Sequence, residues 1–187
     1  MNLDAQKRLL ISEDVHLAMS AGIKTLFDNG DDNEKIDRKY VHKTRDGNVL
    51  ISNPVIVDPE KKIYRTKLVY DPNHEFFFDH QLSHLPGMLL LEAGRQFGTA
   101  ISHQFFNVPF ESQFILHELN SQFVAGADRS DDVFIDVMIT NAKIRKGELR
   151  SMTGIGYVHQ KGEIIGKITS SWSIIPDKVL GHLAKFH

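Results

Sequence analysis

The stretch Phe76–Gly98, "FFFDHQLSHLPGMLLLEAGRQFG", decides the fold. A polar loop holding His80 and His84 runs into Pro86 and Gly87, and an almost continuous apolar pattern then reaches about Phe105. That run is too long for a strand and reads as a helix. Pro86 suits its first turn, where the missing N–H would be unpaired anyway. Asn107-Val108-Pro109 ends it. A helix that is apolar nearly all round needs cover on most sides. Yet this one carries Glu92, with Arg95 three residues on and Gln96 four, so both meet the carboxylate on one face. A buried carboxylate must be paired, hydrogen-bonded or protonated. The spacing therefore predicts either a polar cluster that orients the helix or a tuned acid at an active site.

The flanks read as strands. "KYVHKTRDGNVLISNPVIV" has two β-rich runs around the turn signal Asp46-Gly47, and "KIYRTKLVYDP" alternates until Asp71-Pro72. After the helix, four strands are expected at Gln113–Val124, Val133–Ile144, Leu149–His159 and Glu163–Ile175. The turn segments "GADRSDD", "RKGE" and "HQKGE" separate them. One twisted antiparallel sheet wrapped around one long central helix gives that helix its cover. The fold class is thus α+β, a single hotdog fold. Its open sheet edge predicts a homodimer. Residues 1–39 read as a helical N-terminal extension, with Leu9, Leu10, Val15, Leu17, Ile23 and Leu26 at helical spacings, Ser12 as a cap, and an exposed acidic loop "DNGDDNEK". Residues 40–176 form the hotdog domain, and 177–187 a tail with a short helix.

Composition narrows the function. The chain has 187 residues, 41% of them apolar, and a net charge of -2, which gives no general pull toward nucleic acid or an anionic membrane. The longest apolar stretch, Met88–Leu91, falls far short of the ~20 residues that span a bilayer. The N-terminus lacks the basic-then-apolar order of a signal peptide, so a cytoplasmic protein is expected. With no cysteine there is no disulfide framework, thiol nucleophile or thiolate zinc site.

His80 and His84 are candidate general acid–base groups beside the helix start. With Asp79 they have metal-ligand types, but the H-x3-H spacing joins two ligands on one face only in a helix. Pro86 and Gly87 place them in a loop, so no metal is expected. The free N–H groups of Gly87 and Met88, at the positive end of the helix, suit a carbonyl or developing oxyanion. Gly94 and Gly98 read as tight helix–sheet packing. There is no G-x-S-x-G elbow and no Walker or Rossmann glycine pattern, and no cofactor is expected.

"FDHQLSHLPGMLLLEAGRQ" closely resembles the signature of the A-factor biosynthesis hotdog family, the γ-butyrolactone synthases of actinomycetes. "YVHKTRDGNVLISN" and "VPFESQFILHELNSQF" resemble that family's entry strand and post-helix strand, so the likeness runs from about Val41 to Ile175. It implies transfer of a β-ketoacyl group from an acyl-carrier-protein or coenzyme A thioester to a hydroxyl of dihydroxyacetone phosphate, on the way to a lactone signal. The same stretch is similar to hotdog β-hydroxyacyl dehydratases. That likeness matches His80 to the loop histidine and Glu92 to the helix carboxylate, contributed by opposite subunits. The loop here is two residues shorter, so His84 is the alternative base. Pro86, Gly87, Met88, Arg95 and Gln96 are the implied substrate-binding residues, with Arg95, Lys143 or Arg145 for an acceptor phosphate. The actinomycete synthases carry two hotdog repeats and this chain one, so a homodimer would supply the second. Water as nucleophile would make the protein a thioesterase, and proton abstraction next to the carbonyl a dehydratase. A non-catalytic acyl or lactone binder is the reading from another class.

Overall fold

The computed structural model describes residues 34–80 and 82–176. The expected N-terminal helix and C-terminal tail helix lie outside the described residues. Helix α1, Gly87–Phe106, starts after Pro86 and ends at Asn107, whose left-handed backbone (φ 53°) returns its N–H to the Ser102 carbonyl. Strands β1 (Val55–Asp58) and β2 (Ile63–Lys67) precede it. Strands β3 (Gln113–Phe123), β4 (Val133–Arg145), β5 (Glu148–Gln160) and β6 (Glu163–Ile175) follow. All pairings are antiparallel, in the order β1-β2-β4-β5-β6-β3.

The long hairpins have local causes. Lys146-Gly147 joins β4 to β5 and Lys161-Gly162 joins β5 to β6, each pair with positive φ at both residues. That is the two-residue turn whose twist matches the strands it connects. Along β4, Val133, Ile135, Val137 and Ile139 are buried in one cluster with Leu89, Ala93, Phe97 and Ile101 of α1. The period of two in the strand and of 3.6 in the helix brings these faces together. Gly94 and Gly98 allow the close approach. A Cβ at Gly98 would stand 3.0 Å from Cη2 of Trp172, and one at Gly94 would stand 3.3 Å from Cδ1 of Ile168.

The segment before β1 departs from the sequence expectation. The end of the second β-rich run is strand β1, but residues 38–52 form 3₁₀ turns at Arg38–Val41 and Asp46–Asn48, with the isolated bridges Lys35–Ser52 and Ile51–Leu68. Asp37 accepts from the Lys39 N–H at 3.0 Å, and His42, at φ 55°, closes the first turn. Val41, Val49, Leu50 and Ile51 are buried in the same cluster as α1. Their β-branched and aliphatic character reflects burial, which strand propensity largely measures.

Among the described residues, strand β3 forms the far edge of the sheet and pairs only with β6. Its Ile115, Leu116 and Leu119 are 42%, 51% and 43% exposed.

Candidate active site

Gln96 is fully buried and its amide is fully used. Oε1 accepts from the Leu50 N–H at 2.9 Å, and Nε2 donates to the Asn48 carbonyl at 2.8 Å and to Glu92 Oε1 at 3.0 Å. The amide thus ties α1 to the segment that crosses it and orients the carboxylate one turn back. Glu92 also receives Arg95 Nε and Nη2, both at 2.8 Å, and Lys43 Nζ at 2.7 Å. Burial alone would raise the Glu92 pKa. The two bonds and charge of Arg95, then Lys43 and Gln96, outweigh it and hold the carboxyl at about 2. Such a carboxylate has little basicity at neutral pH. Its use is as a fixed negative charge and hydrogen-bond acceptor.

Two cavities meet at Glu92. One is an apolar groove between α1 and the β3–β6 edge, of about 220 Å³. It is walled by Leu91, Gly94, Phe114, Leu116 and Trp172, with Glu92, Arg95 and Thr99 as its polar side. Its apolar lining suits an acyl chain. The other, about 350 Å³, is bordered by Lys43, Asn48, His74 and Phe77, and shares Met88 and Glu92 with the first. His74 Nε2 lies 3.0 Å from Asn48 Oδ1, and its Nδ1 accepts from the Phe76 N–H at 3.3 Å. The start of α1 borders this junction. Gly87 and Met88 are exposed, and no side chain caps the helix.

His80 and His84 are exposed and line neither cavity. His84 makes an isolated bridge with Asp128, and its Nδ1 is 3.4 Å from Ser83 Oγ. The structure therefore brings Glu92, Arg95, Gln96 and Met88 together, places Gly87 beside Phe123 at the helix start, and leaves the loop histidines apart. Lys143 and Arg145 belong to a separate basic cluster near the β4–β5 turn, with Lys146 and Arg150. Among the described residues no group of three or more His, Asp or Glu is placed to hold a metal.

The sequence reading missed four residues here: Lys43, His74, His42 and His103. His103 Nε2 is 2.9 Å from His42 Nε2, and its Nδ1 is 2.7 Å from the Val108 carbonyl oxygen. A signal for His103 was present. Glu92, Gln96, Thr99 and His103 follow the 4-3-4 spacing of one helix face, so the polar stripe continues past the residues first singled out. His42 and Lys43 stood in the Val-His-Lys of the stretch that resembles the family's entry strand, but nothing in their spacing pointed to contact with α1.

The sequence matches the A-factor biosynthesis hotdog domain over residues 27–176. This chain belongs to the A-factor biosynthesis hotdog family. No curated protein matches its sequence. Among solved structures, this A-factor-type hotdog protein is similar to a putative thioesterase from Lactococcus lactis. The TM-score is 0.52 at 16% identity, covering 68% of this chain and 93% of that one. A hot-dog-like protein from Thermanaerovibrio acidaminovorans gives a TM-score of 0.43 at 11% identity, covering 55% of this chain and 70% of that one. The central helix against a six-stranded antiparallel sheet is the hotdog fold expected from the sequence. No helix among the described residues is long and apolar enough to cross a membrane.

Proposed function

We propose that this protein acts on an acyl thioester carried by an acyl carrier protein or coenzyme A, and transfers a β-ketoacyl group to a hydroxyl acceptor such as dihydroxyacetone phosphate. The observation that carries the reading is the groove beside α1, apolar along its length and charged at Glu92 and Arg95. The acyl tail lies against Leu91, Gly94 and Trp172. The thioester carbonyl meets the N–H groups of Gly87 and Met88, where the positive helix end stabilises the developing oxyanion. Glu92 is the fixed acceptor that aligns the incoming hydroxyl, and Arg95 offers charge to an acceptor phosphate. The family match supports the substrate class.

The reading includes a homodimer formed through β3, whose outer edge is unpaired among the described residues and carries exposed Ile115, Leu116 and Leu119. Leu116 and Leu119 also line the groove, so a second copy on this edge would help enclose the acyl chain. His80 or His84, outside both cavities of their own chain, reach a groove only across that subunit boundary. This is the arrangement the dehydratase likeness implies.

The test is mass spectrometry of products from purified protein with a β-ketoacyl thioester, with and without dihydroxyacetone phosphate. A phosphorylated ester formed only with the acceptor is the expected result. Free acid regardless of acceptor makes the protein a thioesterase, and an unchanged thioester removes the reaction.

A further inference from the structure

His103 lies buried in the last turn of α1, and the exposed His42 closes a 3₁₀ turn laid across it. The protonation of this pair follows from its partners. A carbonyl oxygen only accepts, so the 2.7 Å contact to Val108 requires the proton on His103 Nδ1. Neutral His103 then presents only a lone pair at Nε2. That atom faces His42 Nε2 at 2.9 Å, so His42 must donate. The proton on His42 Nε2 leaves its Nδ1 as the basic lone pair of an exposed ring.

We propose that His42 Nδ1 is the proton acceptor for the acyl-transfer reaction, and that His103 is the positioning residue that fixes its tautomer. This rests on the acyl-thioester reading above. The rings adjoin the groove. Phe114, one of its walls, packs edge-on against both imidazoles with ring centroids 5.3 Å away in each case. Arg95 and Thr99 line the same groove two turns and one turn before His103. The backbone of His42 is held in the left-handed region, at φ 55°, and the next residue, Lys43, is bonded to Glu92. One short segment thus carries both a base and a contact to the charged centre. In a dimer closed by antiparallel pairing of the two β3 edges, the start of one β3, where Phe114 lies, sits beside the end of the other. That end holds Phe123, next to Gly87 at the helix start. His42 of one subunit is thereby turned toward the helix N-terminus of its partner.

The charged and polar neighbours favour a neutral pair. Burial lowers the His42 pKa, and a charge on His103 or Arg95 lowers it further. Burial also lowers His103, against the Val108 bond and Glu111, which raise it. Tyr40 and Phe110 pack on the His103 ring, and Lys39 lies over Tyr40 and Phe110. In the reaction the acceptor hydroxyl oxygen bonds to the thioester carbonyl carbon while its proton passes to His42 Nδ1. The carbon–sulfur bond then breaks, and His42 returns the proton to the leaving thiolate. The products are an ester and a free thiol, with no oxidant or reductant.

The decisive variant is His42→Gly, because glycine accepts the left-handed backbone without strain. With a β-ketoacyl thioester and a hydroxyl acceptor, kcat is expected to fall about 100-fold or more with KM little changed, and added imidazole to restore part of it. In His103→Leu, the lone pair that accepts from His42 Nε2 is lost, so protonated His42 is less well stabilised, its pKa falls and the acid limb of kcat/KM moves to lower pH. Wild-type turnover in His42→Gly, or a loss that imidazole never rescues there but does rescue in His80→Ala, overturns the assignment. Nitrogen NMR of the intact protein reads the tautomer without substrate. His42 protonated on Nδ1, or cationic at neutral pH, also overturns it. Wild-type protein inert toward every thioester refutes the acyl-transfer reading, and the catalytic role of His42 with it. The NMR result shows separately whether the tautomer argument failed.

Discussion

Glu92 on α1 and Asp136 on β4 each sit in a salt-bridged cluster. Asp136 receives Arg65 Nε at 2.5 Å and Nη2 at 2.6 Å, with His159 Nε2 at 3.2 Å, and both Asp136 and Arg65 are 0% exposed. It alternates with Ile135 and Val137, which face α1, so it projects from the opposite face of the sheet. Glu92 receives Arg95, Lys43 and the Gln96 amide, but its side chain is 24% exposed and borders both cavities. Burial raises each carboxyl, and the bonded cations then pull each below its ordinary value. The chemistry is alike and the access is not. Polar residues buried without access are explained by holding strands in register. The same residues beside an open groove are available to a ligand.

Breaking each cluster tests this contrast. Asp136→Asn leaves the Arg65 charge buried without its carboxylate. It is expected to cost about 3–5 kcal/mol in urea unfolding, with little change in thioester turnover per folded molecule. A loss of turnover larger than the loss of folded protein would bring Asp136 into the chemistry. Glu92→Gln should invert the pattern. The folded pKa of Glu92 lies below its ordinary 4.5, at about 2, so its stabilisation is present above pH 4.5 and is lost as pH falls through 2. That shift corresponds to at most about 3 kcal/mol, less after screening of a partly exposed group. The variant should therefore be less stable at neutral pH yet converge with the wild type near pH 2. Its turnover should fall about tenfold or more, since hydroxyl alignment is lost. An equal gap in stability at pH 2 and pH 7 would mean that Glu92 stabilises through packing alone.

The sheet edge allows a milder break. Ile115→Lys places a charge on the exposed edge strand and is expected to shift the protein from dimer toward monomer in sedimentation, with unfolding changed by no more than about 0.5 kcal/mol. An unaltered oligomeric state would move the interface away from β3.

What the sequence made legible follows the reach of its signals. The helix from Pro86, the four strands after it and the Glu92–Arg95–Gln96 face all rest on periods of 3.6 or 2 within one element, and all appear in the structure. Lys43 and His42 escaped because their partners, Glu92 and His103, are 49 and 61 residues away in sequence, and no local pattern encodes such pairing. The Arg65–Asp136 pair, 71 residues apart, escaped for the same reason. The end of the second β-rich run is strand β1. The first run and the start of the second misled because apolar residues packed on a helix resemble those of a strand until the hydrogen-bond partners are known. There the Leu50 N–H goes to a glutamine side chain.

The smallest expected effect separates groove from core on one residue. Gly98 stands where the helix meets Trp172 and where the groove passes between them. Gly98→Ala gains up to about 1 kcal/mol of helix propensity. Its Cβ, 3.0 Å from Trp172 Cη2, loses a similar amount by overpacking, so the net change in stability should stay within about 1 kcal/mol. The indole is not free to yield fully, because Nε1 leans on Ser102 Oγ at 3.4 Å and the ring is buried. The methyl group must then project partly into the groove. A long acyl thioester should lose affinity while a short one does not. Equal effects on both would mean that the acyl chain never reaches Trp172 and ends nearer Gly94.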